Sequence, residues 1–121
     1  MGKKSTIHKM KLSATPFEKI SSGNKIIESR LYDTKRRQIN LGDQIEFVCN
    51  NNQTKKIITT VRALHLYPNF ESLFSDFPPS HFGGVSKIEL LKEIETFYSK
   101  DKQAQYGVIG IKIELVKLFS S

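Results

Sequence analysis

Between residues 23 and 30 the chain reads Gly-Asn-Lys-Ile-Ile-Glu-Ser-Arg, which sets three charged side chains, Lys25, Glu28 and Arg30, into an otherwise apolar stretch with Ile26, Ile27, Leu31 and Tyr32. Charges in such company are costly to desolvate unless each meets a partner or a ligand, so the segment points to a polar cleft. The residue types suit recognition of a nucleotide. Lys25 and Arg30 can bind phosphate or a base edge, Arg30 through a planar fork that favours paired hydrogen bonds. Glu28 can accept from an exocyclic amine or orient Arg30. Tyr32 shares the strand face of Glu28 and Arg30 and offers a ring for a base to stack on.

Plainer accounts of the same residues stand beside this one. Glu28 and Arg30 can simply pair with each other, and an exposed pair of that kind contributes only ~0–1 kcal/mol. Lys25 follows a helix end, where it can satisfy carbonyls and the dipole. A catalytic use is open as well, with Lys25 as proton donor or electrostatic clamp and Glu28 as general base, provided burial shifts their pKa values. The run Lys35-Arg36-Arg37 is either a salt-dependent contact for a phosphate backbone or a solvated turn, with Lys3, Lys4, Lys9 and Lys11 as a possible extension. His8, His65 and His81 are scattered without metal-ligand spacing, and no metal site is expected. Cys49 lies in an apolar strand and reads as a packing residue. No glycine-rich phosphate loop is present, and no cofactor is implied.

The elements that must position these residues follow from periodicity. Ile7 to Ser13 alternates as an opening strand, and Ser13 or Thr15 can cap a short helix with Pro16 in its first turn and Gly23 at its end. Lys25 to Tyr32 and Gln44 to Cys49 are the next strands; Asn50 to Gln53 reads as a hairpin loop, and Lys56 to Leu66 as the antiparallel partner strand. Asn69 caps a helix through Phe74. Residues 67 to 82 hold aromatic side chains that can anchor this segment or dock a protein. Ser86 with Glu89 opens a second helix, expected to run to Tyr98. In the last strand Ile109, Ile111, Ile113 and Leu115 make a core face, and Gly110, Lys112 and Glu114 a wet one. Five to six mostly antiparallel strands and two to three short helices describe an α+β fold built on a small, partly open β-barrel.

The 121 residues fit one domain, expected over 6–118 with a flexible basic segment at 1–5 and a tail at 119–121. Nineteen Lys and Arg against twelve Asp and Glu leave a charge of +7, a field that attracts polyanions and makes RNA or DNA the expected partner class. A single cysteine implies a reduced, cytoplasmic setting. The basic N-terminus lacks the apolar core of a secretory signal, and no run approaches the ~18 apolar residues of a membrane span.

Gly23, Lys25, Glu28 and Arg30 resemble, residue for residue, the GxKxxExR signature of the ASCH domain, a branch of the PUA-like β-barrels. Leu41-Gly42-Asp43-Gln44-Ile45-Glu46-Phe47 is similar to that family's Gly-Asp turn and following strand, and Asn69-Phe70-Glu71-Ser72-Leu73-Phe74 to its short helix. The resemblance implies a cleft between barrel and helices, lined by the signature residues and used for RNA or a modified nucleotide. It also implies an alternative, because some bacterial relatives are implicated in hydrolysing RNA or acylated nucleosides without a metal. In the small amidohydrolase branch the signature lysine is followed three residues later by a threonine nucleophile. Here that position is Glu28, which has no hydroxyl.

Overall fold

Strong alternation at the start of the chain makes β1 (Ile7–Leu12), which turns Met10 and Leu12 inward and leaves Ile7, Lys9 and Lys11 in solvent. The structure, a computed structural model, describes residues 6–119, with side chains through Val116. The expected basic segment 1–5, including Lys3 and Lys4, and residues 120–121 of the expected tail lie outside the described residues.

Ser13 adopts extended backbone and opens α1 (Ala14–Ser21), although its hydroxyl makes no capping bond. Phe17 and Ile20, three residues apart, are buried. Gly23, at φ 82°, turns the chain out of the helix in the left-handed conformation that glycine tolerates. There follow β2 (Ile27–Leu31), a 3-10 turn at Arg36–Gln38, β3 (Gln44–Cys49) and β4 (Asn52–Tyr67). The second half contains α2 (Phe70–Ser75), a 3-10 turn at Pro79–Phe82, α3 (Lys87–Ile94), α4 (Lys100–Tyr106) and β5 (Val108–Phe119).

The five strands form one mixed sheet in the order β1-β3-β4-β5-β2, curled into a half-barrel. Only the β1–β3 pairing is parallel. Inside the curl lie Ile45, Phe47, Ile57, Val61 and Ile111. On the outer face α2 brings Phe70, Leu73 and Phe74 against Ile27, Leu31 and Val108. The expected α+β half-barrel is therefore present, with three helices of seven or eight residues and the shorter α2.

Local differences have physical causes. The loop expected at Asn50 to Gln53 is a tight turn, and β4 continues from Asn52 through sixteen residues. The helix expected to reach Tyr98 stops at Ile94, because Ser99 takes extended backbone to cap α4, its side chain accepting from the Lys102 amide. Of the three residues expected on the wet face of β5, Lys112 and Glu114 are exposed and Gly110 is buried. At Gly110 the face is covered by α2, and a Cβ there would lie 2.9 Å from Leu73 Cδ1 and 3.2 Å from Ile27 Cγ2. Leu115, expected in the core, is 37% exposed.

β1 and β2 are the two edges of the sheet, and the half-barrel leaves a gap between them. Glu28 stands opposite Ile111 and Arg30 opposite Ile109, so both point to the barrel side of β2, at its free edge. Arg30 reaches across, its Nη2 donating to the Lys11 carbonyl at 3.0 Å.

Candidate functional site

Lys25 is placed by the end of α1. The amides of Asn24 and Lys25 both donate to the Lys19 carbonyl, at 2.8 and 3.0 Å, and the Ile26 amide donates to the His81 carbonyl at 2.9 Å. Gly83, at φ 79°, lies so close that a Cβ on it would sit 3.1 Å from Lys25 Cβ. Lys19 Nζ donates to the Gly83 carbonyl at 2.6 Å and ties the same loop to α1. The lysine therefore leaves a braced turn.

From that turn Lys25 Nζ reaches Glu28 Oε1 at 2.8 Å, and Arg30 Nε reaches Glu28 Oε2 at 2.6 Å. Each carboxylate oxygen is held by its own cation. The Glu28 side chain is 4% exposed and those of Lys25 and Arg30 13% each, so this is not the solvated pair of the plainer account. Burial pushes the Glu28 pKa up, but the Lys25 and Arg30 charges and their hydrogen bonds outweigh it and hold the carboxyl at about 2. Burial pushes Arg30 down, yet Glu28 and the Tyr98 hydroxyl raise its pKa on balance.

Lys25, Glu28 and Arg30 line one cleft of about 280 Å³. Lys11 and Asn50 border it on the barrel side; Phe74, Phe82, Leu90 and Ile94 make an apolar wall, and Phe97 and Tyr98 close it. Phe97 is 72% exposed, so its ring is accessible at this end of the cleft. The corner carrying Phe97 and Tyr98 is fastened by the buried side chain of Gln103. Its Oε1 accepts from the Phe70 amide at 3.0 Å, and its Nε2 donates to Glu95 Oε2 at 3.1 Å and to the Tyr98 carbonyl at 3.3 Å.

The family model of the ASCH domain matches residues 10–117, across barrel, cleft and helices. The chain belongs to the ASCH-domain family. Its fold is similar to the crystal structure of a hypothetical protein designated PH0355, at 31% identity and TM-score 0.80 over 92% of this chain and 100% of that one. It is similar also to the solution structure of protein PF0455 from Pyrococcus furiosus, at 29% identity and TM-score 0.71 over 93% and 99% of the two chains. An S128A mutant of an ASCH protein from Zymomonas mobilis shares the fold at 14% identity, with TM-score 0.59 over 95% of this chain and 74% of that one. No curated protein matches the sequence.

Within this ASCH domain, Tyr32, Lys35, Arg36 and Arg37 do not line the cleft. β2 ends at Leu31, and strand alternation no longer aims the next residue: Tyr32 packs against the barrel core, and the Arg37 guanidinium lies over its ring, 4.3 Å from the centroid. Arg36 Nη1 is 3.3 Å from Asp33 Oδ2, and Lys35 is exposed. Of the seven expected ligand residues the cleft thus gathers Lys25, Glu28 and Arg30, and adds Lys11, Phe97 and Tyr98. The signal for Phe97 and Tyr98 was Ser99, whose capping role forces the preceding residues into a corner.

The remaining reactive side chains lie elsewhere. His8 Nε2 meets Asp43 Oδ2 at 2.8 Å, and Asp43 also accepts from the Asn40 and Thr6 amides. Burial raises the Asp43 pKa, but these bonds lower it on balance. The His65 ring lies on that of Phe77, and the buried Cys49 thiol donates to Asn51 Oδ1. Among the described residues no group of three or more His, Cys, Asp or Glu side chains is placed to hold a metal, and no helix is long and apolar enough to cross a membrane.

Proposed function

We propose that this ASCH-domain protein is a noncatalytic RNA-binding, or modified-nucleotide-binding, module whose cleft receives an unpaired nucleotide against Lys25, Glu28 and Arg30. One observation carries the reading: two cations, locked by one buried carboxylate, form the floor of a concavity that has an exposed aromatic ring at its rim. Sequence-specific RNA recognition works on splayed bases that stack on aromatic side chains and meet hydrogen-bonding groups at their edges. A cleft of about 280 Å³, near the lower end of the ~300–1,000 Å³ of ligand sites, suits a single flipped nucleotide rather than a duplex. The charge of +7 adds a field that draws in polyanions. Lys11 at the cleft, and Lys35 and Arg37 outside it, serve as phosphate contacts that make affinity salt-dependent. Single-stranded DNA offers the same contacts without the 2′-hydroxyl.

Two observations weigh against the alternatives. A carboxyl held at about 2, with both oxygens engaged, is a weak general base at neutral pH, and this disfavours a hydrolase that works through Glu28. Phe70, Phe74 and Phe82 are buried in one core cluster with Tyr67 and Phe77 packed against it, which favours the anchoring role of this segment over docking of a protein.

The test is fluorescence anisotropy of a labelled single-stranded RNA octamer across a salt series. Affinity falls steeply with salt, and Phe97→Ala weakens binding about tenfold, in the range of one lost base–aromatic stack. Arg30→Lys, which keeps the charge and loses the fork, weakens it as well. Unchanged binding in both variants, with the fold retained by circular dichroism, overturns the proposal.

A further inference from the structure

We infer that the cleft reads the base rather than the phosphate, and that it favours bases presenting carbonyl oxygens, above all guanine and uracil, over adenine, which has none; this rests on the RNA-binding reading above. The argument is one of donors and acceptors. Glu28 is the only carboxylate at the floor, and its oxygens are occupied by Lys25 Nζ at 2.8 Å and Arg30 Nε at 2.6 Å. With 4% of its side chain exposed, it is closed to an exocyclic amine. What the floor turns toward a ligand is the ammonium of Lys25 and the guanidinium of Arg30, which carry more N–H donors than Glu28 and the Lys11 carbonyl consume. Arg and Lys pair best with adjacent acceptors such as guanine O6 and N7 or with the carbonyls of uracil, and cytosine offers one carbonyl beside its amine. Adenine sets an amine beside its ring nitrogen and is met by Asn or Gln, and the amide that borders this cleft, Asn50, is exposed rather than set beside the cations at the floor.

The walls decide between base and phosphate. Phe74, Phe82, Leu90 and Ile94 would face a phosphate with carbon and strip its hydration, but they suit the face of a ring. Phe97 stands ready to stack on the other face. Glu93 is the one carboxylate at the rim that could attract an amine. It is exposed, so its pull is small beside that of the mostly buried cations.

The test uses uncharged nucleosides, with inorganic phosphate as the competing anion, on the whole chain. Uridine, guanosine, adenosine, cytidine and inorganic phosphate are each titrated against the protein while the amide shifts of cleft residues are followed by NMR; RNA octamers of uridine and of adenosine are compared by anisotropy. Uridine and guanosine bind about five- to a hundredfold tighter than adenosine, the span of a good bidentate base contact, with cytidine, which has one carbonyl, in between. Glu93→Gln leaves that order unchanged, Arg30→Lys narrows the ratio, and phosphate does not displace uridine. Equal or tighter binding of adenosine, or displacement by phosphate, overturns the inference. Octamers that bind with no base preference, while nucleosides fail to bind, overturn it and leave RNA binding standing. Nucleosides that bind in the stated order, while no octamer binds at any salt, support the base preference and refute RNA binding.

Discussion

Glu28→Gln is the most revealing perturbation, because one carboxylate carries both the stability of the cleft and its electrostatics. In the folded protein the carboxyl is held at about 2 against an ordinary value of 4.5, and that difference corresponds to about 3 kcal/mol of stability at neutral pH. Since the folded value lies below the unfolded one, this stabilisation is present in full above about pH 4.5. It is lost as the pH falls from there through about 2. The amide removes the charge and leaves Lys25 and Arg30 mostly buried without a counter-ion, a change of the kind that costs roughly 3–5 kcal/mol. Urea unfolding followed by far-UV circular dichroism should therefore place the variant about 3 kcal/mol below the parent at pH 7, with the gap closing toward pH 2. A variant within about 0.5 kcal/mol of the parent at pH 7, or a gap that persists at low pH, refutes the reasoning. A triple replacement, Lys25→Met with Glu28→Leu and Arg30→Met, removes the charges together. It should regain most of the stability, as buried ion networks replaced by apolar side chains often do, and still fail to bind RNA.

Three further outcomes are expected. Gly110→Ala brings a methyl to 2.9 Å from Leu73 Cδ1 inside a filled interface and should destabilise by about 1–3 kcal/mol in the same assay. Asn69→Ala removes the cap whose side-chain oxygen accepts from the Ser72 amide at 2.8 Å, a loss of about 1 kcal/mol by thermal unfolding. Gln103→Leu strands the buried Phe70 amide at a cost of about 1–3 kcal/mol. It also frees the corner that carries Phe97 and Tyr98, so RNA affinity should fall under conditions where the variant remains folded by circular dichroism.

Much of the barrel was legible because strands one residue wide in their alternation have only one face to bury. β3 and the Ile109–Ile113 stretch of β5 lie where period-two patterning puts them, and Asn69 and Ser86 cap the helices they were expected to cap. Local pattern failed where a distant element decides. Gly110 looks like a solvent-facing gap in a strand until α2 is laid over it. Tyr32 continues the alternation of Glu28 and Arg30 in sequence, but the strand has already ended and the ring turns to the barrel and to Arg37. α4 was hidden because Lys100 to Tyr106 has no apolar stripe; its place is fixed by Gln103, a polar residue whose buried hydrogen bonds no hydrophobic period can announce. The aromatic side of the cleft depends on that helix, so it could not be read before the helix was seen.

The triad explains why a residue of catalytic type suits the proposed binding role of this cleft. Lys25 and Arg30, each with a side chain only 13% exposed, would without Glu28 repel each other and lose hydration with nothing returned. Glu28, between them at 2.6 and 2.8 Å, offsets that cost in the empty protein and fixes where both cations point. The donors are then aimed before the ligand binds, and less ordering remains to be done on binding. The same bonds lower the basicity of the carboxylate, since each one that orients a cation also stabilises the anion. Orientation of the cations and general-base strength at Glu28 are therefore opposed demands on a single group. The distances in this protein meet the first and forfeit the second.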